Sequence, residues 1–109
     1  MLYFRTLTLA LTLFGFILVL LSADANARVT RSSENKFLRD AYDVGRCHNE
    51  AMLQMIEKIY NHCGASDQQY EKLYNSFDEG ASAGSCEPAV PALIKQKYII
   101  DIEYGNLEC

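Results

Sequence analysis

Residues 34–63 read ENKFLRDAYDVGRCHNEAMLQMIEKIYNHC, and within them Phe37, Leu38, Ala41, Met52, Met55, Ile56, Ile59 and Cys63 recur at helical spacing. That period predicts one amphipathic helix with a single apolar stripe. Ser33 stands ahead of it as an N-cap and Gly64 behind it as a stop. Gly45 interrupts the middle at a cost of about 1 kcal/mol against alanine, which points to a break or a close helix contact there.

Downstream, Ser66 is followed three residues later by Gln69, the capping-box pattern, so a second helix is expected to start there. Tyr70, Leu73, Tyr74, Phe77 and Ala81 fall on one of its faces. Gly80 and Gly84 mark its end, with 80–85 read as a loop. Pro88 and Pro91 bracket the start of a third segment that reaches Gly105, since proline suits a helix's first turn. Inside it Tyr98, Ile100, Ile102 and Tyr104 alternate as a strand would, over residues 97–104. Helix is favoured because no second strand is evident, and an isolated strand leaves its backbone unsatisfied. The expected fold class is all-α, a small three-helix domain stapled by disulfides.

Ahead of this body, residues 1–27 carry Arg5, an apolar run from Leu7 to Leu21, and Ala25-Asn26-Ala27. A charged start, an apolar middle and an Ala-x-Ala exit are the parts of a secretory signal peptide. Cleavage after Ala27 leaves residues 28–109 as the mature domain, with 28–33 a flexible N-terminus, and places it outside the cell or in the periplasm, with no stable membrane insertion. The alternative is an exported protein held by an uncleaved signal, because Leu2 to Ala23 approaches the ~20 residues that span a bilayer.

Cys47, Cys63, Cys86 and Cys109 all follow the expected cleavage site. An even number in a short exported chain reads as a disulfide framework. A domain of this size buries only about 60–65% of its unfolded surface, so covalent staples supply stability that its core lacks. If 47–63 is helical, a rise of about 1.5 Å per residue separates those two cysteines by roughly 24 Å, against a limit of about 7 Å for bonded Cα atoms. Cys47–Cys63 is thereby excluded. In a hairpin turning near Ala65, the residue opposite Cys47 lies close to Cys86, and a third segment returning antiparallel brings Cys109 back toward Cys63. The expected pairs are Cys47–Cys86 and Cys63–Cys109, each worth about 4 kcal/mol on the chain-entropy model. Cys47 lies about 140° from Met52 around the helix, so its partner approaches from the flank or the helix restarts near residue 46 or 47.

Cys47-His48 and His62-Cys63 present residue types that zinc prefers, but the two pairs are too distant to share one ion, and no metal is expected. His48 falls on the inner stripe with Ala41, Gly45 and Met52 and reads as a core or boundary residue. There is no Gly-x-Ser-x-Gly elbow, His-Glu-x-x-His or Walker loop, and no Cys-x-x-Cys. Asp78-Glu79 and Asp101 with Glu103 read as solvated acids. No catalytic residue and no cofactor are expected. The net charge is −4, unchanged when Arg5 and Asp24 leave together, and the longest basic feature is Lys95-Gln96-Lys97. Nucleic acid needs a concentrated basic face, which is missing.

The aromatic residues after the signal are Phe37, Phe77 and the tyrosines 42, 60, 70, 74, 98 and 104. Tyrosine combines apolar area with a polar tip, which suits core edges and interfaces. Tyr70 and Tyr74 are the expected partner-binding residues. The function expected is that of a secreted or periplasmic, non-enzymatic protein-binding module, of inhibitor, immunity-factor, toxin or ligand type, whose partner is another protein. A carrier of small apolar ligands, lined by Met52, Met55, Ile59, Leu73 and Phe77, is the alternative. A hormone precursor is disfavoured because no dibasic pair occurs.

Overall fold

The computed structural model describes residues 29–109; the signal peptide and the uncleaved anchor both lie outside them. Four helices form among these residues rather than three: α1 (Arg31–Gly45), α2 (Glu50–His62), α3 (Asp67–Ala83) and α4 (Ala89–Glu103). None is long and apolar enough to cross a membrane.

The extra helix comes from the stretch 34–63, which folds as two helices around a tight turn. Asn49 caps α2, its side-chain oxygen accepting from the Met52 N–H at 3.1 Å. His48 takes the left-handed conformation, φ 53°, that reverses the chain. It is therefore an exposed turn residue and not part of the inner stripe. The apolar spacing survives the break, so the sequence alone resembles one continuous helix.

The start of α1 also moves. Thr30 is the cap, its hydroxyl accepting from the Ser33 N–H at 3.1 Å. Ser33 is buried inside the first turn, and Val29 before it is buried too, so residues 31–33 are helix rather than a flexible lead. At α3 the capping box closes in both directions, Ser66 accepting from the Gln69 N–H and Gln69 from the Ser66 N–H. This helix runs through Gly80 to Ala83.

Gly80 is a contact and not a stop. A Cβ on Gly80 would fall on the Tyr42 carbonyl oxygen, and one on Gly45 on the Phe77 carbonyl oxygen. Two glycines thus let α1 and α3 cross with backbones touching. At the other end Glu34 accepts from Gln69 at 3.1 Å and pairs with Lys72 at 3.0 Å, so the two helices run in parallel.

α2 and α4 pack onto α1 through rings. Phe37 of α1 lies 4.8 Å from Tyr60 of α2 and 5.8 Å from Tyr98 of α4, measured between centroids. The Tyr98 hydroxyl donates to the Asp40 carboxylate at 2.5 Å. Leu73 and Phe77 of α3, with Ala41, Val44 and Ile56, complete the core. Burying each of the larger side chains among these, Leu73, Phe77, Val44 and Ile56, is worth about 1.5–3 kcal/mol.

Candidate binding surfaces

Apolar residues recur on several sides of α4, between Lys95, Gln96, Lys97, Asp101 and Glu103, so the helix has no single apolar stripe. Only Pro91 and Tyr98 of α4 are buried in this chain. At about 100° per residue, Leu93, Ile100 and Tyr104 align on the side facing away from α1. Leu93 is 62% exposed and Tyr104 73%. Ile99 and Ile102, both exposed, lie on a second side, turned toward α2. Residues 97–103 are helical, and the alternation that resembles a strand arises because steps of two from Tyr98 through Ile100 to Ile102 reach the core, the outer side and the α2 side in turn.

Two disulfides frame that second side. Cys47, in the turn before α2, bonds to Cys86 just before α4, with Cα atoms 4.5 Å apart. Cys63 at the end of α2 bonds to Cys109 beyond the end of α4, with Cα atoms 5.3 Å apart. α2 and α4 therefore run in the same direction, tied at both ends. Between the ties they scarcely approach each other, both resting instead on α1. The gap is a trough. At its start a cavity of about 580 Å³ is lined by Met52, Met55, Pro88, Pro91, Ala92 and Lys95. At its far end one of about 430 Å³ is lined by Lys58, Ile59, His62, Ile102 and Leu107.

The segment carrying Cys86 is held by a residue that spacing alone does not single out. Arg46 donates from Nε to the Gly84 carbonyl at 3.0 Å and from Nη2 to the Ser85 carbonyl at 2.6 Å. Its fork satisfies two carbonyls of the segment that follows α3. Nothing in the sequence marks those partners, which are backbone groups about 40 positions away.

Tyr70 and Tyr74 stack at 6.5 Å on α3, and Tyr60 meets the Tyr70 ring edge-on at 5.6 Å. Tyr70 is half-buried and Tyr74 is 42% exposed. With Asp67 and Glu71 they line an open hollow of about 430 Å³. Burial pushes both phenols above their ordinary range, and the Glu57 carboxylate adds to the shift in each. This surface offers fewer exposed apolar side chains than α4, and its Tyr70 ring is already committed to packing on Tyr60.

The five residues of the expected carrier pocket separate. Met52 and Met55 line the start of the trough and Ile59 its far end, while Leu73 and Phe77 are packed in the core. The Cys47 and Cys63 sulfurs are in disulfides, and no group of three or more His, Cys, Asp or Glu converges among the described residues. His62 lies exposed at the trough's rim.

No family model matches this chain, and neither a curated protein nor a solved structure matches it.

Proposed function

We propose that this chain is an exported, non-enzymatic protein-binding module that works through α4. The observation that carries this reading is the apolar excess of α4, with Leu93, Ile99, Ile100, Ile102 and Tyr104 exposed on a scaffold that two disulfides make stiff. Exposed apolar surface on this scale marks interaction sites in soluble proteins, and pre-ordering lowers what association must freeze. Two disulfides also fit an oxidising compartment, in agreement with export.

The apolar residues of α4 span more than half of its circumference, so one flat surface covers only part of them. A partner that wraps the helix, or enters beside it, covers more. The Tyr70–Tyr74 hollow is a second, smaller surface in this proposal.

Replacing Leu93 and Ile100 together by serine tests it. Both side chains point away from the core, so the unfolding midpoint is expected to hold. A partner protein cross-linked to the wild type in its native compartment is expected to be lost from the variant. Recovery of the same partner by both, or of none by the wild type, rejects α4 as the working surface.

A further inference from the structure

We propose that the trough between α2 and α4 is the docking site for an amphipathic helix of a partner protein, about three turns long, apolar on its inner side and acidic along its flanks. This rests on the protein-binding reading above and names the chemistry of the partner.

Spacing supports a helix as occupant. Along α2 the trough is flanked by Ala51, Met55, Lys58 and His62, at steps of four, three and four. Along α4 it is flanked by Ala92, Lys95 and Ile102, and Ile99 completes steps of three, four and three. These are the seams that helices offer to a further helix. From Ala51 to His62 the seam is about 17 Å long, close to three turns.

Charge supports acid on that helix. Both charged side chains lining the two cavities, Lys58 and Lys95, are basic, in a chain whose net charge is −4. Neither lysine makes an ion pair among the described residues. Lysine stems can lie along the apolar walls while their ammonium groups stay at the rim, where carboxylates flanking a docked helix would meet them.

Stiffness supports a preformed site. Each end of the trough is closed by a disulfide, so α2 and α4 can neither collapse together nor spread apart freely. A flat lipid surface reaches the rims but not Met52 and Ile59 on the floor.

The test uses the full chain, ¹⁵N-labelled and expressed into an oxidising compartment. It is titrated with two synthetic helical peptides of about 14 residues that share one leucine stripe, one flanked by glutamate and the other by lysine. The acidic peptide is expected to shift the amides of Met55, Ile59, Ala92 and Ile102, and to bind about fivefold or more tightly than the basic one at low salt. The double variant Lys58→Glu, Lys95→Glu, with both side chains exposed and folding preserved, is expected to invert that order. The proposal is overturned if the basic peptide wins on the wild type, if the reversal leaves the order unmoved, or if neither peptide binds. Saturation of the trough by dodecanoate while both peptides fail would replace it with a small-ligand site. Shifts confined to Leu93, Ile100 and Tyr104, or to Tyr70 and Tyr74, would sink the trough and leave the protein-binding reading standing.

Discussion

Gly45 and Gly80 occupy the two sides of one helix crossing, each placed where a side chain would strike the backbone carbonyl of the opposite helix. Alanine normally favours a helix interior over glycine by about 1 kcal/mol. Here the sign reverses, because the obstacle is backbone and does not yield cheaply. Gly80→Ala and Gly45→Ala are each expected to destabilise by about 1–3 kcal/mol, read as a lower denaturation midpoint. A gain in stability from either would mean that α1 and α3 do not cross this closely.

Two carboxylates respond to pH in opposite directions. Burial raises Asp40 above its ordinary value of 3.8, outweighing the Tyr98 hydrogen bond and the charges of Lys36 and Lys97. Its contribution is therefore fully present below 3.8 and is lost as pH rises through the folded-state value. Burial also pushes Glu34 upward, but hydrogen bonds from Gln69 and Lys72 and the charge of Lys72 outweigh it, so the net shift from 4.5 is downward. Its contribution is present above 4.5 and fades as pH falls through the folded-state value. Asp40→Asn, which keeps an acceptor for Tyr98, is expected to gain on the wild type between acid and neutral pH, whereas Glu34→Gln loses ground over the same interval. Denaturation midpoints at pH 7 and below 3.8 check both, and a common direction would contradict the assignment.

Tyrosine hydroxyls separate in the same manner. The Tyr60 oxygen is buried with no hydrogen-bond partner among the described residues, whereas that of Tyr98 donates to Asp40. Tyr60→Phe is expected to leave stability unchanged or raise it by up to about 1 kcal/mol, and Tyr98→Phe to lower it by about 1–3 kcal/mol. Equal losses in thermal denaturation would show that both hydroxyls are partnered.

Helix type was legible wherever a local signal carried it, as at Ser66 and Gln69, whose reciprocal caps need only their own spacing. The turn at Arg46–Asn49 was harder. Ala41, Gly45, Met52 and Ile59 keep one apparent stripe across it, although Asn49 ahead of Glu50 was a usable cap signal. Gly80 resembles punctuation in the sequence because its reason for being glycine sits on another helix, at Tyr42. For the cysteines, helix length excludes Cys47–Cys63, an antiparallel hairpin turning near Ala65 selects Cys47–Cys86 with Cys63–Cys109, and the structure has those two bonds. The trough was invisible because it is a gap between elements. Its only trace in the sequence is that α4 has apolar residues on more sides than its own core uses, which the alternation from Tyr98 to Tyr104 had disguised as a strand.

The most direct test places a photoreactive side chain at Leu93, at Ile99, or at the exposed Asp78 of α3 as a control, in protein residing in its native compartment. If another protein covers α4, irradiation yields a discrete adduct of one mass from position 93 or 99 and none from 78. No adduct from α4, or the same products from all three positions, would contradict a partner seated on that helix.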